Sequence, residues 1–179
     1  PSANDGADSL YEASGIIAQS EQNASRLFGC PTFYSTEGSS LAIRAMLHLA
    51  ALSVKGPCRV LAVRNVHKTF VSACALLDLE VSWLFPQAEE SYHACSVSPQ
   101  AVEEAIENEH PQVVYLTSPD YLGNVADIRG IADACHRHGV LLLVDNAHGA
   151  YLRFLTPSRH PMDLGADLCC DSADRKSVV

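Results

Sequence analysis

An acidic residue and a histidine follow the most continuously apolar run of the chain. The run spans Val140 to Val144, and Asp145 and His148 come next. Such a run is typical of a parallel strand buried on both faces, and open α/β sheets bind ligands beyond the carboxyl ends of their strands. We therefore predict that Asp145 and His148 are catalytic, although a strand-terminal Asp can also simply cap a turn. No third ligand stands at a recognisable metal spacing, and we assign no metal.

A second candidate is the hydroxyl-rich turn Thr36-Glu37-Gly38-Ser39-Ser40, which opens a predicted helix. A turn that delivers backbone N–H groups and hydroxyls to a helix N-terminus favours an anion, because unpaired donors and the helix dipole act together. Gly38, Ser39 and Ser40 are therefore predicted to bind a phosphate. The alternative is a plain helix cap.

A third candidate is Arg64-Asn65-Val66-His67-Lys68, which lies between a predicted strand and a predicted helix. The flat imidazole of His67 is suited to contact with an aromatic ring, so we predict that His67 is catalytic as well. Its alternative role is to cap the following helix. Lys68 is interpreted as a structural or solvent-facing lysine.

Taken in order, these segments resemble the major domain of the ornithine/lysine/arginine decarboxylase family, which are fold-type I pyridoxal-phosphate enzymes. The resemblance covers nearly all of residues 1–173. It also draws on the loop Thr117-Ser118-Pro119-Asp120-Tyr121-Leu122-Gly123, the pattern Asp145-Asn146-Ala147-His148-Gly149-Ala150, and Gly165-Ala166-Asp167 followed by Ser172.

The resemblance implies a role for each site residue. Asp145 would pair with the protonated pyridine nitrogen of pyridoxal 5′-phosphate, His67 would stack on the ring, and His148 would contact it near the phenolic oxygen. Ser172 would join Gly38, Ser39 and Ser40 at the phosphate. The 117–123 loop would lie near cofactor and substrate, although its proline and glycine also explain it as a turn. Asn146 departs from the family, which often has Glu there.

The family's cofactor-binding lysine is missing from its expected place. The family has Ser-x-His-Lys, whereas Ser172-Ala173 is followed here by Asp174-Arg175. The residues 174–179 match the conceptual translation of a common sequencing adapter. We therefore expect residues 1–173 to be a partial major domain and 174–179 to be a non-native tail. In the competing interpretation, Lys176 is a shifted cofactor lysine.

Helical and strand patterns alternate along the chain, which indicates βαβ units and a mainly parallel sheet. The expected fold is a three-layer αβα arrangement of the α/β class, like the major domain of pyridoxal-phosphate-dependent transferases and here incomplete. Helices are predicted at 9–28, from 38, from 67, from 98 and at 127–138. Strands are predicted at 31–35, 59–63, 80–85, 112–117, 140–144 and 167–171.

Composition narrows the functional classes. The net charge of −9 provides no basic surface for nucleic acid or an anionic membrane, and no apolar run is long enough to span a bilayer. The seven cysteines contain no Cys-x-x-Cys, which favours free thiols in a reducing cytoplasm. A Rossmann-type nucleotide binder lacks its Gly-x-Gly-x-x-Gly.

The resemblance implies a pyridoxal-phosphate-dependent carboxy-lyase, a decarboxylase of arginine, lysine or ornithine, that forms a homo-oligomer when complete. Without the lysine, the present chain is expected to be inactive. Two alternatives stay open. One is another fold-type I reaction, that of an aminotransferase, aldolase or acyltransferase. The other is a non-catalytic remnant.

Overall fold

Among the described residues, five parallel strands form the central sheet. The computed structural model describes residues 8–85 and 96–172. The helices are α1 (Ile16–Phe28), α2 (Gly38–Ser53), α3 (Lys68–Leu76), α4 (Pro99–Glu109) and α5 (Ile128–Arg137), and the strands are β1 (Arg59–Val63), β2 (Glu80–Leu84), β3 (Val113–Thr117), β4 (Leu141–Asn146) and β5 (Leu168–Asp171). Two 3₁₀ helices, Ala150–Phe154 and Pro161–Leu164, lie between β4 and β5.

The strand order is β2-β1-β3-β4-β5, and every neighbouring pair is parallel. The chain moves outward from β1 to β2 and then returns to the other side of β1 with β3. The connections that follow β1 and β3 therefore diverge, which opens the crevice where α/β proteins bind ligands.

Helices cover both faces of the sheet. On one face, α2 and α3 pack against side chains such as Ala62, Tyr115 and Leu143. On the other, α4 and α5 pack against Leu61, Val114 and Leu142. Because the side chains of a strand alternate between faces, both faces of the central strands are apolar. The predicted α/β class and three-layer architecture are confirmed.

Several helix starts follow from local chemistry. The Ser98 hydroxyl accepts a hydrogen bond from Ala101 N, and Pro99 begins α4. Asp127 caps α5 by accepting from Gly130 N. Each cap satisfies a backbone donor that has no partner inside the helix, as the sequence predicted for Ser98-Pro99.

Two predictions near the N-terminus are wrong. The helix predicted from residue 9 begins only at Ile16, because the Asp8 carboxylate accepts from Ser14 N, Gly15 N and Ile17 N and fixes a turn there. These bonds lower the pKa of Asp8 to about 2.

No strand forms at 31–35. There, Thr32 N donates to the Ser25 hydroxyl and Tyr34 N donates to the Glu21 carboxylate. Side chains of α1 thus bind the N–H groups that a neighbouring strand would have used.

The predicted tail 174–179, like Ala173 before it, lies outside the described residues. Within the described ranges, none of the helices has the length and apolar character needed to cross a membrane.

Candidate active site

A narrow cleft opens at the carboxyl edge of the sheet, beside the crevice between β1 and β3. Its free volume is about 10 Å³, so side chains fill most of it. Its lining residues come from α2, the β1–α3 connection, the strands β3 and β4, and the segments that follow these two strands. They are Ser39, Ile43, His67, Thr117, Tyr121, Asp145, Ala147 and His148. The cleft therefore brings together Ser39, His67, Asp145 and His148, which the sequence analysis selected from three separate segments.

Asp145 is the buried acid of the cleft. It lies inside β4, whereas the sequence placed it directly after the strand, and only 3% of it is exposed. Its carboxylate accepts from Ala147 N at 3.1 Å and, more weakly, from the Tyr115 hydroxyl at 3.5 Å. Burial raises the pKa of Asp145, and the Ala147 bond and the nearby His148 and His67 oppose this only in part. A cationic donor in the cleft would stabilise this charge.

His67 both caps α3 and faces the cleft, so the two interpretations of this residue are compatible. Its Nδ1 accepts from Thr69 N at 3.2 Å and lies 2.9 Å from the Thr69 hydroxyl. That hydroxyl donates to Ser40 Oγ at 3.3 Å. Since Nδ1 accepts a backbone bond, a neutral His67 carries its proton on Nε2. Lys68 beside it is exposed, as predicted.

Replacing His67 separates its two roles. We expect His67→Ala to lower the free energy of unfolding by about 1 kcal/mol, because it removes the cap acceptor of α3. His67→Asn should stay close to wild type, since asparagine also caps helices well. Urea unfolding of the three proteins measures this difference. Equal losses in both variants would show that the cap contributes nothing.

The N-terminus of α2 presents backbone donors at the cleft. The cap residue Glu37 makes no side-chain capping hydrogen bond within the described part of the chain, so the first N–H groups of the helix lack that partner. Ser39 is buried and lines the cleft, whereas Gly38 is exposed and has a φ of +61°. Donors at a helix N-terminus are suited to a phosphate.

Three further side chains complete the cleft. The Tyr121 and His148 rings meet edge to face, with centroids 5.5 Å apart. The Thr117 hydroxyl is buried and has no hydrogen-bond partner among the described residues. A buried hydroxyl without a partner is costly and indicates a place where a ligand can bond.

Ser172 stands one residue beyond β5 and is buried, but it is not among the residues that line the cleft. Sequence reasoning also missed Tyr115 and Thr69, which support Asp145 and His67 from behind. Strand packing brings Tyr115 to Asp145, and the sequence contains no spacing signal for that contact. Thr69 meets His67 locally, two residues along the chain in the first turn of α3.

Other candidate sites are less well suited. An open groove of about 520 Å³ at the amino edge of the sheet is larger than the cleft, but it contains none of the predicted site residues. Within the described residues, one group of potential metal ligands lies close together: His160, Cys169 and Asp171. Cys170 points to the other face of the sheet, into the α2 side of the core, so the adjacent cysteines do not face one site.

The family model described as Orn/Lys/Arg decarboxylase, major domain, matches residues 2–177. The chain belongs to this family. Pyridoxal 5′-phosphate, expected from the sequence resemblance, is the cofactor of the family, and its fold-type I architecture is the one found here.

Individual proteins agree with the family match. An arginine decarboxylase of Halalkalibacterium halodurans is 31% identical over 176 residues, which are 94% of this chain and 34% of that relative. The chain thus spans about a third of the relative's length. Among solved structures, the SepCysS–SepCysE N-terminal domain complex has a TM-score of 0.71 at 18% identity over 87% of this chain and 41% of that one. Oryza sativa TDC with PLP has a TM-score of 0.63 at 16% identity, over 85% and 39%.

The cleft residues of this family member fit the cofactor. The buried Asp145 carboxylate, whose pKa burial raises, suits a protonated ring nitrogen. The Thr117 hydroxyl, unpaired among the described residues, offers a bond, and the α2 N-terminus offers donors for a phosphate. These groups meet at one edge of the sheet because parallel strands end there together.

Proposed function

We propose that this chain is part of a pyridoxal-phosphate-dependent decarboxylase of a basic amino acid, with arginine as the favoured substrate. The single observation that carries the proposal is the position of Asp145, buried in the cleft with a raised pKa and within reach of His67 and His148. Arginine is favoured because relatives that match across 94% of the chain are arginine decarboxylases.

The predicted site residues each have a defined task in this proposal. Asp145 holds the proton on the ring nitrogen, and the imidazole face of His67 orients the ring. His148 faces the ring near its phenolic oxygen, while Gly38, Ser39, Ser40 and Ser172 bind the phosphate. When bound, the cofactor accepts the electron pair left at the substrate α-carbon as carbon dioxide leaves.

The same cleft could serve another fold-type I reaction, because an acid paired with the ring nitrogen assists all of them. The family match favours decarboxylation, since the model that covers residues 2–177 is specific to that family. We further propose that residues 1–173 are a partial cofactor-binding domain, that the complete protein is a cytoplasmic homo-oligomer, and that this chain does not turn over substrate.

Cofactor binding is the direct test. Equilibrium dialysis should show saturable binding of pyridoxal phosphate, with pyridoxal at least tenfold weaker because it lacks the phosphate. The chain has three lysines, Lys55, Lys68 and Lys176. After borohydride reduction and peptide mapping, we expect no stoichiometric label on any of them, and Lys68→Arg is the control for surface reaction.

Two outcomes would contradict the proposal. Equal binding of pyridoxal and its phosphate would show that the chain has no phosphate site. Stoichiometric labelling of Lys176 would identify this residue as the cofactor lysine of an active chain. For the substrate, release of carbon dioxide by the complete protein should be compared for arginine, lysine and ornithine, with arginine expected to react fastest.

A further inference from the structure

A chain of polar contacts joins the ends of β4 and β5 beside the cleft. Asn146 and Asp171 are register partners on these strands. Asn146 is completely buried, and its Nδ2 donates to Asp171 Oδ1 at 2.6 Å. A short bond from an amide to a carboxylate is a strong one, because the acceptor is charged.

His160 completes the chain of contacts from the other side. Its buried ring places Nε2 at 3.1 and 3.2 Å from the two Asp171 oxygens. Its Nδ1 accepts from Met162 N at 3.4 Å, so the proton of a neutral ring lies on Nε2 and points at Asp171. Asp171 is therefore an acceptor for donors from two different segments.

This proton assignment separates the cluster from a metal site. The ligand atoms of His160, Cys169 and Asp171 lie within 4.8 Å of one another. A metal at Nε2 would move the ring proton to Nδ1, where it would meet the Met162 N–H instead of an acceptor. The arrangement is that of a hydrogen-bonded network.

The hydrogen-bonded network adjoins the candidate site, because its members are next to site residues in the sequence. Asn146 directly follows Asp145, and Asp171 directly precedes Ser172. Gly149 confines Asn146 further, since a Cβ at position 149 would lie 2.1 Å from Asn146 Oδ1. The bond between Asn146 and Asp171 thus fixes the distance between the acid of the cleft and the end of β5.

We propose that Asn146 and Asp171 form a positioning pair for the cofactor, with Asp171 supplying the carboxylate that the family often has at position 146. The pair holds Ser172 in place relative to Asp145. This inference rests on the proposed function, because it assigns Ser172 to the phosphate and Asp145 to the ring nitrogen.

Exchanging the two side chains tests the pair. Asn146→Asp places two carboxylates against each other and should lower the unfolding midpoint by about 5 °C at pH 8, with recovery as the pH is lowered and the pair takes up a proton. Asp171→Asn added to it restores one amide and one carboxylate, so the midpoint should return and lose that pH dependence. The Asp171→Asn single variant completes the set of four proteins, and the titratable groups facing the pair, His160, Cys169 and Asp145, are the same in all of them.

Cofactor affinity separates positioning from plain stability. At a temperature where all variants are folded, Asn146→Asp should bind pyridoxal phosphate about tenfold more weakly at pH 8, and the exchanged double variant should bind within about twofold of wild type. Both carry the added charge beside Asp145, so their difference isolates the pair. The control Glu103→Gln, which removes an ion pair with Arg137, should leave affinity unchanged.

The outcomes are distinguishable. Additive effects on the midpoint, or equal affinity in all four proteins while wild type binds the cofactor, would overturn the positioning pair and leave the proposed function standing. A wild-type chain that does not bind pyridoxal phosphate would overturn the proposed function and the pair's cofactor role together. The midpoints would then report only on folding.

Discussion

Replacing Asp145 by asparagine should stabilise the cofactor-free protein and weaken its binding of pyridoxal phosphate. Asparagine keeps an acceptor for Ala147 N and removes a buried charge whose burial cost His148 and His67 offset only in part. We expect a gain of about 1 to 2 kcal/mol in the free energy of unfolding at pH 7. Loss of a charge-assisted bond should raise the dissociation constant of pyridoxal phosphate about tenfold to a hundredfold.

The pH dependence of this gain follows from the direction of the shift. Burial raises the pKa of Asp145 in the folded protein above its value in the unfolded chain. Below the unfolded value, about pH 4, both states are protonated and the wild type bears no cost. As pH rises through the folded pKa, the native state loses stability that the variant keeps. The advantage of Asp145→Asn should therefore be full at neutral pH and disappear in acid.

Asp120 provides a matched control, because it is another buried aspartate with a different environment. Its carboxylate accepts from Leu122 N, Asn124 N and Asn124 Nδ2. Asp120→Asn should therefore lower stability, by about 1 to 3 kcal/mol, where Asp145→Asn raises it. Thermal unfolding of both variants from pH 4 to 8 decides the point. The same sign of change in both would refute the argument that the buried charge of Asp145 lowers the stability of the cofactor-free protein.

The second large effect is expected from Gly149→Ala. Gly149 has an ordinary φ of −127°, so its role is spatial. An added Cβ would lie 2.5 Å from Pro119 Cδ and 2.1 Å from Asn146 Oδ1, and both neighbours are buried. We expect a loss of about 3 kcal/mol, together with loss of cofactor binding, because Asn146 adjoins Asp145.

Gly56→Ala is the comparison for this substitution. Gly56 has a φ of +99°, and an added Cβ there has no heavy atom within 4 Å among those described. This variant should lose only about 1 kcal/mol through backbone strain and should bind pyridoxal phosphate normally. Chemical denaturation and dialysis measure both quantities. If Gly149→Ala were no less stable than Gly56→Ala, steric crowding at position 149 would not explain the requirement for glycine there.

The sequence predicted the sheet well because buried parallel strands are apolar throughout and are separated by helices with recognisable caps. Asp145, His67 and Ser39 could be assigned to one site since parallel strands end at a common edge. The strand predicted at 31–35 does not form for a physical reason. Its backbone N–H groups donate hydrogen bonds to the side chains of Ser25 and Glu21 in α1. Pattern alone does not reveal such a competing partner.

The contacts behind the cleft could not be predicted from the sequence. Tyr115 reaches Asp145 from two residues before the end of β3, and Asp171 meets Asn146 only through the register of β4 with β5. A shift of register by one residue would turn these side chains to the opposite face. Their partners therefore depend on packing that distant segments determine together.

Because all strands run in the same direction, the cleft lies at the carboxyl edge of the sheet, and the turns at the amino edge are distant from it. The turns that enter β1 and β4, at Gly56 and Gly139, lie at the edge of the sheet opposite the cleft, and a Cβ at either glycine has open space around it. A peptide tag or a fluorescent label introduced there would leave the cleft residues undisturbed. It would also allow the protein to be immobilised with its cleft facing the solvent.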